Sequence, residues 1–165
     1  MDEINLINFM SLSLKEKKMI LEWRNHKNIK RWMYNNVNIA LDNHIFFIDS
    51  LTYTQDKLYF LVEKEGSFIG VINFTNIDLK NKITDFGLYS NPYLKGYGAY
   101  LLENICIYAF KILKIKILKA EVFIDNTKAI KLYKKFNFIE TSRKVIFNNE
   151  ILCMELKIEE ENKFL

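Results

Sequence analysis

Cysteine is scarce in this sequence: Cys106 and Cys153 are the only two among 165 residues. Two thiols build neither a disulfide framework nor a structural zinc site, so no metal is expected and a reducing cytoplasm is the expected compartment. Proline occurs once, and no Gly/Ser-rich run marks a linker. One domain spanning residues 1–165 is therefore expected. No apolar run approaches the roughly 18 residues that span a bilayer, which excludes a membrane helix. Met1-Asp2-Glu3 is acidic and lacks the basic start of a secretory signal. No repeat of fixed period is found. The net charge is +4, but the lysines are scattered, not clustered. That favours anionic ligands mildly and is poor evidence for a nucleic-acid partner.

What is there is a folded chain, with half its residues hydrophobic and 15% aromatic. Residues 4–14 read as an opening strand. A helix follows over 15–25, with Met19, Ile20 and Trp23 on one face, and a short one over 28–34. Asp42 caps a third helix running to about Thr54, with Ile45, Phe46, Ile48 and Leu51 inward. The period then changes. Strands over 58–63 and 68–74 are joined by a hairpin turn at Gly66, and a further strand spans 83–90. Residues 98–113 form a helix burying Leu101, Leu102, Ile105, Tyr108, Ala109 and Ile112. A strand over 117–124, a helix over 126–136, and a hairpin of 138–144 with 151–158 turning at Asn148-Asn149 complete the chain. The order predicts a mixed α/β domain around one sheet.

Two stretches carry chemistry. "NPYLKGYGAYLLE", residues 91–103, ends a strand, turns through Gly96 and Gly98, and starts a helix at once. Amides at such a start, unobstructed by Cβ atoms, suit a pyrophosphate; a plain strand–helix turn is the alternative. No Walker lysine follows and the third glycine of a dinucleotide fingerprint is missing. "DNTKAIKLYKKFNF", residues 125–138, has Asp125 or Asn126 as its cap and Ala129, Leu132, Tyr133 and Phe136 as its stripe. Tyr133 either fills core space or gives up a proton. Both helix starts fall at one end of the sheet, where neighbouring parallel strands bind ligands.

Together the two stretches resemble the GCN5-related N-acetyltransferase (GNAT) family, across the whole chain. Tyr93, Gly96 and Gly98 match the family's Gln/Arg-x-x-Gly-x-Gly/Ala motif, with Tyr93 in place of Gln/Arg. Asn126, Ala129, Leu132, Tyr133, Lys135 and Phe138 match its second motif, with Asn137 where glycine is usual. Asn tolerates the left-handed conformation a helix end needs there. The resemblance implies a mostly antiparallel sheet with a splayed strand pair, flanked by helices, and acetyl-CoA as donor. The amides of Gly96, Tyr97, Gly98 and Ala99 would hold the pyrophosphate, with Lys95 adding charge. Strand ends at Leu88 and Tyr89 and the start of the 117–124 strand would sandwich the pantetheine, and Asn126 would bond to it. Tyr133 would protonate the departing thiolate.

"EWRNHKNIKRWMY", residues 22–34, followed by "DNHIFFIDSL", resembles one subgroup: the N-acetyltransferases of pseudaminic acid biosynthesis. That implies as acceptor a UDP-linked 4-amino-4,6-dideoxy sugar on the route to a flagellin glycan. The other reading of residues 22–34 is a solvated helix junction with buried Trp23 and Trp32. For such an acceptor Met33, Tyr34 and Phe47 offer a flat apolar surface, and Arg24, Lys30 and Arg31 offer cations. His44 lies near Phe47 on its helix. A backbone N–H near Leu88 is the expected oxyanion donor. Glu121 and His44 are the candidate bases, Asp85 a third, and an amine of modest pKa needs none. Cys106 and Cys153 read as inert packing, so direct transfer without an acyl-enzyme is expected. A protein N-terminal or antibiotic acetyltransferase is the alternative function, and a non-catalytic ligand sensor or basic nucleic-acid binder is a third reading. A homodimer through the last strands is the family's suggestion.

Overall fold

A computed structural model describes residues 3–158; Met1 and Asp2 lie outside them. Seven strands form one sheet in the order β1-β2-β3-β4-β5-β7-β6. They are β1 (Ile4–Asn8), β2 (Leu58–Lys64), β3 (Ser67–Asp78), β4 (Ile83–Ser90), β5 (Ile117–Phe123), β6 (Ile139–Ile146) and β7 (Asn149–Lys157). The helices are α1 (Leu14–Asn25), α2 (Lys27–Lys30), α3 (Leu41–Ser50), α4 (Gly98–Ile107) and α5 (Thr127–Lys135). Every neighbouring pair is antiparallel except β4 with β5. That parallel pair is registered over Ile83–Ile117, Thr84–Leu118 and Asp85–Lys119 only. Beyond those rungs the two strands part.

Helices cover both faces. One core joins Phe60, Ile72, Phe74 and Leu118 of the sheet to Leu101, Leu102 and Ile105 of α4 and Tyr133 of α5. The other seats Ile20 and Trp23 of α1 and Ile48 of α3 on Leu61 and Val71. Each such side chain, fully removed from water, contributes about 1.5–3 kcal/mol before entropy is counted.

Several sequence expectations shift in detail. The opening strand stops at Asn8, whose side chain accepts from the Met10 N–H and starts a single 3-10 turn. Ser13 and Glu16 then form a reciprocal capping box that begins α1. The helix expected over 28–34 is only Lys27–Lys30, capped by His26. In α3, Ala40 rather than Asp42 is the cap; the buried line runs His44, Ile48, Leu51, and Phe46 points outward at 76% exposure. After α4 the chain widens into a π-helical turn, Tyr108–Ile112. The wider turn rotates Phe110 inward and Ile112 out to solvent. The last hairpin turns at Phe147 and Asn148, both with positive φ, and not at Asn148-Asn149. Glu65 and Gly66 make the matching turn between β2 and β3 as expected.

Candidate active site

Strand β4 ends in a loop that hands the chain to α4. No side chain caps that helix, so its first-turn amides are left without intrahelical partners. Gly96 sits at φ +87, and a Cβ there would meet nothing within 4 Å. A Cβ on Gly98 would only touch Leu132. Unpaired amides beside open space fit a pyrophosphate. Lys95, Gly96 and Ala99 are exposed, while Tyr97 and Gly98 are half-buried. Tyr93 is also exposed; its hydroxyl donates to Glu22 and its ring stands edge-on to His26 at 5.7 Å. It therefore ties the loop to α1 instead of reaching the amide cradle.

The splay of β4 from β5 opens the sheet beyond Asp85 and Lys119. The slot thus lies between residues 86–90 and 120–123. The start of the 117–124 strand, expected to line it, is instead consumed in pairing with β4. Leu88 and Tyr89 stand on the parted segment, half-buried by side-chain area.

Helix α5 closes one side. The Asn126 Oδ1 accepts from the Ala129 N–H at 3.3 Å, which makes Asn126 the cap and leaves its amide nitrogen as a donor. At the other end Asn137 takes φ +69, with Asn137 N–H on the Lys134 carbonyl and Phe138 N–H on the Tyr133 carbonyl, each at 3.0 Å. This is the left-handed helix stop expected of that asparagine. Lys135 is exposed in the last turn. Tyr133 is 8% exposed, edge-on to Phe86 at 5.6 Å and tilted against Phe138 at 5.7 Å. Among the described residues no protein group hydrogen-bonds its hydroxyl. Burial pushes its pKa up to about 12.

Phe86 also lines a cleft of about 310 Å³ with Trp32, Met33, Tyr34, Thr75, Asn76, Asp85, Glu121 and Phe123. Its outer wall is the stretch after α2, and α1 holds that stretch in place. The Asn25 side-chain amide donates to the Ile39 carbonyl at 2.9 Å and accepts from the Ile39 N–H at 2.8 Å. Arg24 Nη2 donates to the Asn35 carbonyl at 2.8 Å, and Lys30 reaches Asn38 at 2.9 Å. The Arg-Asn pair of the sequence is thus a clamp on the stretch that walls this cleft. Arg24 Nη1 is buried without a hydrogen-bond partner, close to Tyr89. We expect Asn25→Ala to raise the acceptor KM about tenfold, because two bonds worth about 0.5–1.5 kcal/mol each hold the wall. Steady-state kinetics varying each substrate checks this: the KM for the acyl donor should stay within error, and an equal rise in both would contradict it.

Glu121 is the hub of the cleft. It accepts from the Tyr34 hydroxyl on one oxygen and from the Lys144 ammonium on the other. Partial burial works to raise its pKa, but the two donors outweigh it and hold the carboxylate below its usual range. Tyr34 is shifted strongly upward, by burial first and then by the carboxylate it donates to. Asp85 faces the same cleft and accepts from Asn76 Nδ2 at 2.7 Å. Asn76 stands at φ +51 in the irregular register between β3 and β4, and that break turns it toward the cleft.

Met33, Tyr34 and Glu121 therefore meet as expected, whereas His44 and Phe47 do not join them. His44 is buried between α3 and α1, its Nε2 2.9 Å from the Lys17 carbonyl, and burial lowers its pKa. Phe47 stands edge-on to Tyr59 at 5.1 Å in the second core. Both belong to the packing of α3. Arg31 lies over the Trp32 ring at 4.5 Å. Trp32, Asn76 and Lys144 were not foreseen: Trp32 reads as core, the break at Asn76 has no sequence mark, and Lys144 comes from a distant strand. Cys106 is buried in the core, and burial pushes its thiol up to about 12. Cys153 is half-buried opposite Glu121 in the β5–β7 register. Among the described residues no cluster of three His, Cys, Asp or Glu is placed to hold a metal, and no helix is long and apolar enough to cross a membrane.

The model of the acetyltransferase (GNAT) family matches residues 18–138. The chain is 46% identical over 135 residues to acetyltransferase PseH of Campylobacter jejuni subsp. jejuni serotype O:2, covering 82% of this chain and 84% of that protein. The namesake in serotype O:23/36 is 44% identical over the same shares. The crystal structure of Campylobacter jejuni N-acetyltransferase PseH in complex with acetyl coenzyme A superposes with a TM-score of 0.79 at 36% identity, over 95% of this chain and all of that one. A Vibrio cholerae spermidine N-acetyltransferase shares the fold, with a TM-score of 0.84 at 19% identity, over 94% of this chain and 95% of that one. Amide cradle, splayed strands, tyrosine-bearing α5 and family match agree, and this chain belongs to the GNAT family of acetyltransferases.

Proposed function

We propose that the chain transfers the acetyl group of acetyl-CoA to the 4-amino group of UDP-4-amino-4,6-dideoxy-N-acetyl-β-L-altrosamine, in pseudaminic acid biosynthesis for flagellin glycosylation. The observation that carries this reading is the 46% identity to a protein named acetyltransferase PseH. The resemblance of residues 24–34 to that subgroup supports it. The cleft adds electrostatic support: Asp85 and Glu121 are met by Lys144 and, across the β4–β5 rung, by Lys119. The lining itself carries only the two carboxylates, and the lysines behind them offset the acidity that cationic peptides or aminoglycosides would favour.

Bound in the slot, acetyl-CoA supplies an activated acyl group as a thioester. The amides of Gly96, Tyr97, Gly98 and Ala99 hold its pyrophosphate, with Lys95 and Lys135 as flanking cations, and the Asn126 amide bonds the pantetheine arm. The parted segments at Leu88–Tyr89 and 120–123 flank that arm. The Leu88 N–H stabilises the developing oxyanion. Tyr133 gives its proton to the leaving sulfur. Met33 and Tyr34 form the acceptor wall, with Arg24 behind it. Glu121, ionised and saturated by two donors, orients the acceptor through Tyr34, and the amine proton passes to Asp85 or water. Orientation of both substrates in one complex supplies much of the acceleration. The reaction is cytoplasmic and runs in one domain, residues 1–165. A homodimer through β6, exposed from Ile139 to Val145, is the assembly we propose. Incubation with acetyl-CoA and the UDP-amino sugar, followed by NMR of the product, tests the reading: an amide at C4 is expected, and an unmodified sugar beside intact thioester overturns it.

A further inference from the structure

Lys144 comes from the wrong place to be a packing residue. Strand β6 buries no side chain, and Arg143, the preceding residue, pairs with Glu140 and Glu150 inside the β6–β7 hairpin. Among the described residues, Lys144 is the one β6 side chain that reaches over β7 to bond β5. Its ammonium lands on Glu121, the carboxylate of a cleft otherwise walled by Trp32, Met33, Phe86 and Phe123. Asp85, on β4 beside β5, lines the same cleft and adds its charge to the ammonium's surroundings. A carboxylate at such an apolar wall, left alone, is a site for an organic cation.

We propose that Lys144 sets acceptor selectivity: seated on Glu121, it occupies the place of a cationic acceptor and turns the cleft from free diamines and polyamines to an amine carried on an anionic nucleotide. The inference rests on the reading given under Proposed function. Like charges meeting in a cleft repel an incoming ammonium, while an anionic substrate gains from the same lysine. Lysine suits the task, since its compact ammonium places one point charge where a second cation would bind.

The experiment compares thiol release from acetyl-CoA with two acceptors, the UDP-4-amino sugar and 1,4-diaminobutane, for wild type, K144M, K144Q, K144R and the double variant K144M/E121Q. For K144M and K144Q the kcat/KM ratio of diamine to sugar should rise about tenfold or more, chiefly through a lower KM for the diamine. K144R should keep the wild-type ratio, because it restores the charge. The gain should vanish in K144M/E121Q, because the cation site itself is gone. Ratios in both K144M and K144Q within about twofold of wild type, or a gain that survives E121Q, would overturn the proposal. A wild type inactive on the sugar would sink the nucleotide-sugar reading instead, and the diamine arm alone would still report whether Lys144 guards Glu121. Circular dichroism and sedimentation of each variant read fold and assembly separately, and a selectivity change in a variant that keeps both supports the proposal.

Discussion

Replacing Tyr133 with phenylalanine is expected to lower kcat by about 100-fold or more, the span of a lost general acid. The same variant should melt close to wild type and bind acetyl-CoA with unchanged affinity. The ring does the packing, edge-on to Phe86 and against Phe138, and phenylalanine keeps the ring. The hydroxyl has no protein partner to lose. Packing and the proposed proton donation fall on different atoms of one side chain, and the substitution separates them. The pH profile gives a second check. Burial raises the phenol's pKa to about 12, so Tyr133 stays protonated below it. The wild-type kcat should then show no alkaline fall that depends on Tyr133 up to about pH 10. A near-normal kcat for Tyr133→Phe would make the phenol a packing residue only.

Gly96→Val is the second large effect. Position 96 sits at φ +87, where an L residue costs about 1–2 kcal/mol and a β-branched one is worst placed. The space around it is open, so the fold should survive, with the strain relieved by moving the loop. That movement turns the 96–99 amides from the pyrophosphate. The KM for acetyl-CoA should rise about 100-fold, the strain plus the lost charge-assisted bonds, while the acceptor KM changes little. Kinetics at saturating acceptor reads this directly, and an unchanged acetyl-CoA KM would remove the pyrophosphate from this turn.

Much of this site could be read from residues alone because its parts are local. The cap at Asn126, the stripe through Leu132 and Tyr133, and the left-handed Asn137 depend on neighbours within one helix. Strand alternation alone put Glu121 and Phe123 on one face. What escaped depends on phase or distance. The π turn after α4 rotates every later residue, so Ile112 went outward and Phe110 inward. The face of α3 that packs inward carries His44, Ile48 and Leu51, which leaves Phe46 in solvent and puts His44 into the α1 junction. Lys144 meets Glu121 across two strand pairings, and no short pattern encodes that meeting. Nor does any motif mark Asn76, whose turn toward Asp85 comes from a break in register. The Arg24-Asn25 pair shows the converse case: visible as a motif, it spends its side-chain bonds on the backbone of Asn35 and Ile39, partners that no motif names.

The measurement that bears most directly on the central claim is thiol release from acetyl-CoA across a panel of amines at equal concentration. The panel holds the UDP-4-amino-4,6-dideoxy sugar, a ribosomal-protein N-terminal peptide, an aminoglycoside and a polyamine. The predicted result is a kcat/KM for the nucleotide sugar about 100-fold above every other member, a margin that two or more lost polar contacts would produce. Silence with the nucleotide sugar, beside turnover of the peptide or the aminoglycoside, would contradict it.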